Sequence, residues 1–286
     1  MKSKFAMVQM GAAADPAENL RKAERFVAEA MELCAPDLIV FPENCMSDAE
    51  GDIRTKNAWA QELDGPFVSG MQRLARENGV YIVFGMREKA EGTDNAKAAN
   101  VDVDAAKDAE GDEDLRVYNT VVMLDDKGGV VSTYRKTHLY DAFGHKESDA
   151  VKAGDALFEP VETPFGKIGL FVCYEVRFPE VARDQRAKGA EIILMPTAWV
   201  KGDMKSLHFE TLVRARAIEN TVFLLACDQY SGTRMGESLA VDPMGVTLAS
   251  GGEGEKVIPV FIDTDRIAEV RRKLPSYEDR RPELYF

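Results

Sequence analysis

Strand and helix signals alternate along almost the whole chain, and this alternation limits the possible fold more than any other feature of the sequence. Apolar β-type runs at 5–10, 37–41, 80–86, 167–172, 191–195 and 222–227 are separated by helical stretches. Asp15 is the predicted cap of a helix reaching residue 33, and Pro66 opens a second helix closed by Gly79. Further helices are expected near 179–188, 203–220 and 265–272. Hairpins interrupt the crossovers. The runs 117–124 and 130–136 flank Asp125-Asp126-Lys127-Gly128-Gly129, and 237–242, 246–250 and 257–262 follow one another around Pro243-Met244-Gly245. A short run at 158–161 precedes a turn at 164–166. Such a chain is neither all-α nor all-β. It reads as layered α/β with mixed sheets, in one domain over residues 1–286 and without internal repeats.

The exception is the stretch 90–114, which has no periodic apolar face and reads as a solvated loop or insertion. Its nine acidic residues and two lysines give −7 of the chain's formal −13, so the negative balance is local. The formal charge of −13 argues against a nucleic-acid partner, because phosphate binding requires clustered Lys and Arg. No window approaches the roughly 20 apolar residues of a membrane span. Two N-terminal lysines precede an apolar run, but Gln9 interrupts it and Asp15-Pro16-Ala17-Glu18 is a helix start, not a cleavage site. Four scattered cysteines without a C-x-x-C pair suit a reducing, cytoplasmic setting. No dinucleotide or Walker loop and no zinc-ligand spacing is present, so no cofactor or metal is expected.

Three residues stand where chemistry would use them. Cys173 ends an apolar strand just before a helix start, where turn and helix N–H groups can lower a thiol pKa and bind an oxyanion. The ordinary alternative is a small buried hydrophobe. Glu43 follows the apolar run Leu38-Ile39-Val40-Phe41-Pro42, and a partly desolvated carboxylate there suits a general base; otherwise it is a solvated loop acid. Lys136 ends a strand whose alternation puts Tyr134, Lys136 and His138 on one face. It could stabilise a developing oxyanion, although strand-end lysines are mostly solvated. Cys45 is a rival nucleophile without the strand-to-helix setting. A Cys–His pairing with His138, His145 or His208 also stays open.

Taken together, Phe41-Pro42-Glu43, Tyr134-Arg135-Lys136-Thr137-His138-Leu139 and Cys173-Tyr174-Glu175-Val176-Arg177-Phe178-Pro179-Glu180 resemble the nitrilase superfamily of carbon–nitrogen hydrolases. The likeness continues through Glu147-Ser148, Arg214-Ala215-Arg216-Ala217-Ile218-Glu219-Asn220, Val241-Asp242-Pro243-Met244-Gly245 and the tail Arg280-Arg281-Pro282-Glu283-Leu284-Tyr285. It covers nearly everything outside 90–114. One departure is Glu175, where the family more often has aspartate. The resemblance implies a four-layer α-β-β-α sandwich that assembles as a homodimer with sheets continuing across subunits. It implies Glu43 as general base, Lys136 as electrophilic stabiliser, Cys173 as nucleophile and Glu147 as the residue orienting the lysine. The backbone N–H of Tyr174 would complete an oxyanion hole. Arg177 would hold a substrate carboxylate, or else bridge Glu175 or Glu180. Thr197 and His208 are expected near the substrate.

The implied activity is hydrolysis of a small, carboxylate-bearing amide through a cysteine thioester, with no metal or cofactor. An N-carbamoyl amino acid hydrolase and a nitrilase use the same residues. A catalytically silent binding or scaffold module is the alternative of another class.

Overall fold

A computed structural model of the protein describes residues 1–49, 51–90 and 114–285. The acidic stretch read above as an insertion falls, at 91–113, outside the described residues. Asp114, at its end, pairs with Arg116 (2.9 Å) and Lys152 (3.2 Å). In chain order the main elements are β1 (Lys2–Gln9), α1 (Pro16–Cys34), β2 (Leu38–Val40), α2 (Ile53–Asn57), α3 (Pro66–Asn78) and β3 (Tyr81–Glu88). Next come β4 (Val117–Leu124), β5 (Val130–Arg135), β6 (Val151–Lys152), β7 (Val161–Thr163) and β8 (Gly166–Leu170). Then follow α4 (Pro179–Ala187), β9 (Ile192–Thr197), α5 (Lys205–Asn220), β10 (Phe223–Asp228), β11 (Leu239–Val241), β12 (Thr247–Ser250), β13 (Lys256–Asp263) and α6 (Asp265–Lys273).

These strands form two mixed sheets. One runs β13-β1-β2-β3-β4-β5, with β6 also on β4; the other runs β12-β11-β10-β9-β8-β7. Strands β1, β2 and β3 are parallel, as are β8, β9 and β10, and antiparallel pairs flank both sets. The period-2 alternation of the first sheet sets the layering. Phe5, Met7, Leu38, Val40, Val83, Val121 and Met123 point to the core shared by both sheets. Their neighbours Ala6, Val8, Ile39, Ile82, Phe84, Val122 and Leu124 point the other way, onto α1 and α3. Helix α1 meets them with Ala23, Phe26, Val27 and Ala30, a stripe at helical spacing. Behind the second sheet lie α4 and α5, burying Val181, Ala182, Phe209, Val213 and Ala217. The result is the four-layer α-β-β-α sandwich. Phe5 of β1 and Phe165 of the β7–β8 turn meet edge to face, 5.3 Å between centres, across the sheet interface.

The local signals explain the boundaries. Asp15 accepts from the Ala17 N–H at 2.8 Å to cap α1, and Gly79 ends α3 at φ +61°. In the β4–β5 hairpin Asp125 accepts from the N–H groups of Lys127 (2.9 Å) and Gly129 (2.7 Å). The helix expected from residue 203 begins at Lys205, because Met204 takes a left-handed φ of 60° that no α-helix continues. The strand expected at 158–161 lies at Val161–Thr163, and α2 and β6 have no counterpart in the sequence reading. No helix among the described residues is long and apolar enough to cross a membrane. The site is built where the loops after β2, β5, β8 and β9 meet.

Candidate active site

Glu43 sits on the loop leaving β2, pressed against β3. The N–H of Phe41 donates to Val83 O (2.7 Å) and that of Gly85 to Pro42 O (3.3 Å). This approach requires glycine at position 85: a Cβ there would lie 2.5 Å from Asn44 N and 2.8 Å from Glu43 Cα. The Glu43 carboxylate is buried and fully used. Oε1 accepts from Lys136 Nζ (2.9 Å) and Asn119 Nδ2 (2.7 Å), and Oε2 from the Ala198 N–H (2.9 Å).

Lys136 is held by its backbone, donating to Asn119 O and accepting from the Gly154 N–H, each at 2.9 Å. Its side chain is 2% exposed and its Nζ lies 2.9 Å from both Glu43 Oε1 and Glu147 Oε2. Burial alone would strip its charge. Glu147 and then Glu43 outweigh burial and hold the ammonium well above the usual lysine pKa. Glu147 is correspondingly held below the usual carboxylate range. Burial opposes that direction, while Lys136, the Tyr140 N–H (2.7 Å) and Asn119 Nδ2 (3.1 Å) enforce it.

Cys173 follows β8 in a left-handed backbone conformation, φ +48°. For a non-glycine residue that conformation costs about 1–3 kcal/mol and persists only where the surroundings impose it. Here Glu175 does so. Its Oε2 accepts from the Val172 N–H (2.7 Å) while Oε1 accepts from Tyr134 Oη (2.7 Å), Thr137 Oγ1 (2.7 Å) and the Thr137 N–H (3.0 Å). One buried carboxylate thus bolts the Cys173 turn to the Lys136 loop. The departure from aspartate at this position keeps the carboxylate, and the longer side chain spans both segments.

The thiol itself corrects an expectation. Burial, and next to it Glu43, push its pKa up, against Lys136, the Thr197 hydroxyl and the Ala198 N–H. The sulfur thus lies beside Glu43, with burial opposing the lowering expected from the turn. Both face a cavity of about 320 Å³, the size of a small-molecule site. Cys173, Glu43, Lys136, Glu147, Tyr174 and Arg177 line it.

A carbon–nitrogen hydrolase family model matches residues 4–272. The chain belongs to the carbon–nitrogen hydrolase family. A deaminated glutathione amidase of Rattus norvegicus is 34% identical over 293 residues, spanning 98% of this hydrolase and 83% of its own length. A 2-oxoglutaramate amidase of Bacillus subtilis is 30% identical over 274 residues, 94% of each chain. The crystal structure of Saccharomyces cerevisiae Nit3, a member of branch 10 of the nitrilase superfamily, matches with a TM-score of 0.80 and 28% identity, over 98% of this chain and 97% of that one. The hydrolase is accordingly an amidase-type enzyme of the nitrilase superfamily, and amidase-named relatives along nearly its full length favour turnover over a silent binding module.

The remaining residues singled out in the sequence divide. Thr197, last in β9, is buried near Cys173 and does not line the cavity. His208 does not line the cavity; α5 turns Lys205 and Phe209 inward, and His208 lies beside that stripe. Strand alternation does not carry through to His138, which leaves the strand to stack on Phe178 with its Nδ1 3.4 Å from Glu175. His145 lines the cavity, but the titratable groups acting on the thiol are Glu43 and Lys136, not a histidine. Cys45 is buried, donates to Gly85 O (3.3 Å) and has its thiol pushed up to about 12 by burial. Among the described residues no cluster of His, Cys, Asp and Glu has a metal-binding arrangement.

Sequence reasoning missed Asn119, Tyr140, Lys205 and the Arg234–Asp48 pair (2.8 Å). An asparagine inside the apolar strand β4 was a usable signal, since a buried amide needs partners.

Proposed function

We propose that this enzyme hydrolyses the terminal amide of a small carboxylic acid amide, such as a monoamide of a short dicarboxylic acid, through a thioester on Cys173. The observation that carries the reading is Arg177. Its Nε and Nη2 are buried and without a hydrogen-bond partner, and the side chain lines the same cavity as Cys173. Among the described residues no carboxylate pairs with it, so the alternative of a bridge to Glu175 or Glu180 has no support. A guanidinium desolvated in this way, packed near the rings of Trp199 (5.1 Å), Phe143 (5.8 Å) and Tyr174 (6.0 Å), suits a planar carboxylate.

In this scheme Glu43 takes the thiol proton as Cys173 attacks the amide carbon. Burial holds the thiol pKa up, so the attack calls for a base beside the sulfur, the place Glu43 occupies. Charge gathering on the carbonyl oxygen is met by Lys136 Nζ and the Tyr174 N–H. Glu43 then passes its proton to the nitrogen, the carbon–nitrogen bond breaks and ammonia leaves. A water molecule, deprotonated by Glu43, attacks the thioester carbon; the carbon–sulfur bond breaks, the acid departs and the thiol is reprotonated. Glu147 keeps Lys136 charged and in place throughout.

We attach to this reading a homodimeric, cytoplasmic enzyme. Exposed Val246 and Leu248, at the edge formed by β12, support self-association there, and four free cysteines suit a reducing compartment. The test is ammonia release from acid amides, neutral amides, N-carbamoyl amino acids and nitriles, with Cys173→Ala as control. Turnover led by acid amides and lost in the variant is the expected result. Preference for carbamoyl substrates, with carbon dioxide released, or for nitriles would replace the proposed substrate class.

A further inference from the structure

The cavity carries a second cation that the reaction does not use. Lys205, the first residue of α5, is 7% exposed and lines the cavity with Arg177. Its Nζ donates to Tyr140 Oη at 2.8 Å and lies 3.8 Å from the centre of the Phe143 ring. Among the described residues no carboxylate forms an ion pair with it.

Three features of this placement oppose a cation. Burial removes water from the ammonium, and nothing negative replaces it. The N-terminus of a 16-residue helix is the positive end of its dipole, where anions are favoured and lysine is not. A second cation, Arg177, shares the same aromatic floor: Trp199 lies 5.1 Å from its guanidinium carbon and 5.8 Å from Lys205 Nζ, and Phe143 is near both. The ring faces relieve part of this. An anion arriving between the two side chains relieves all three at once.

The wider lining points the same way. Among the described residues, seven Lys and Arg side chains line the cavity (Lys56, Arg87, Lys136, Lys146, Arg177, Lys205, Arg234) against three carboxylates, Glu43, Asp48 and Glu147. This is a cationic basin in a chain of formal charge −13. Lys136 and Arg234 spend their charge on those carboxylates, and Lys146 pairs with Asp149. Among the described residues Lys56, Arg87, Arg177 and Lys205 form no ion pair, and of these Arg177 and Lys205 share the aromatic floor.

We propose that Lys205 is a specificity-determining residue which closes, with Arg177, a two-cation clamp on the carboxylate of the substrate. Arg177 supplies the planar fork and Lys205 a point charge at the helix end, so that the pocket ranks acid amides above neutral amides of equal size. This inference rests on the carboxylic acid amide reading above.

The test compares succinamate with butanamide, its uncharged analogue of similar length, in the wild type, Lys205→Met, Lys205→Arg and Tyr140→Phe. Lys205→Met is expected to raise KM for succinamate at least about tenfold, to keep kcat within about threefold and to leave kcat/KM for butanamide unchanged. Lys205→Arg keeps the charge and most of the selectivity, and Tyr140→Phe, which removes only the hydroxyl, does the same. Should the Met variant fold poorly by circular dichroism, Lys205→Gln gives the same comparison. Equal losses on both amides would make Lys205 a structural tie between α5 and the Tyr140 loop and overturn the proposal. So would an unchanged succinamate KM. A wild type that does not favour succinamate over butanamide sinks the acid amide reading itself, a distinct outcome from selectivity that survives loss of Lys205.

Discussion

The two sides of the active-site cavity follow opposite electrostatic plans. On one side Lys136 lies between Glu43 and Glu147, every charge has a partner at hydrogen-bond distance, and Asn119 and backbone N–H groups occupy the remaining carboxylate oxygens. On the other side Arg177 and Lys205 are packed among aromatic rings, with no counter-charge among the described residues. The first side is complete without substrate; on the proposed reading the second is completed by it. A preorganised cluster does chemistry because its dipoles need not rearrange during the reaction. An uncompensated pair of cations does recognition, because its cost to the free protein is returned when an anion binds.

This contrast predicts that substitutions on the two sides trade stability against activity in opposite ways. The largest effect is expected from Cys173→Ala, which should lower turnover of every amide by about 10⁴-fold or more while leaving substrate binding nearly intact. Single-turnover kinetics and equilibrium binding of the acid amide check it. Lys136→Met should abolish turnover and also destabilise the fold by about 3–5 kcal/mol, because it leaves two buried carboxylates unpaired. Urea unfolding measures that, and an unchanged midpoint would contradict the idea that Lys136 ties two buried carboxylates together.

Arg177→Met should behave in reverse. KM for an acid amide rises by about 10–100-fold, while the unfolding midpoint stays level or increases, since a buried cation without a partner has been removed. A clear loss of stability would show that Arg177 holds the fold and not the ligand. A smaller and more specific effect concerns thiol labelling. Cys173 should react with iodoacetamide faster than Cys45 and Cys227, which are buried away from the cavity.

The smallest effect is in the pH dependence of stability. Glu147 has a folded pKa below its unfolded value, so its contribution is complete above about pH 4.3 and is lost as pH falls through the lower folded value. Lys136 has a raised folded pKa, so its contribution is complete below about pH 10.4 and fades only as pH rises beyond that. The difference in Tm between wild type and Glu147→Gln should therefore be flat across neutral pH and shrink in acid. A difference independent of pH down to about 3 would remove the ionic explanation.

The chemical side of the cavity was legible in the sequence and the recognition side mostly was not. Glu43, Lys136 and Cys173 each follow an apolar strand, so the same local pattern that made the strand also marked where it ended. Their roles came from the order of three short motifs. Lys205 has no such signature. It lies among Lys201, Asp203 and Ser206, and only the left-handed turn at Met204 and the inward face of α5 put it beside Tyr140, 65 positions earlier in the chain. Asn119 was hidden for a related reason: its two carboxylate partners come from loops 76 and 28 residues away. His208 shows the converse error, since nearness in sequence to a pocket helix does not fix which way a side chain faces. The layered fold was easier, because the alternation of Phe5, Met7, Leu38 and Val40 with Ala6, Val8 and Ile39 states outright that the first sheet has two buried faces.

Glu175 has one more implication. Since a single carboxylate fastens both the turn carrying Cys173 and the loop carrying Lys136, the two arrive together or not at all. A partly unravelled copy has lost the placed sulfur and the placed cation in the same event. The design works as an interlock: a molecule that loses this one carboxylate's contacts would lose the placed thiol and the placed ammonium together, and with them the proposed reaction.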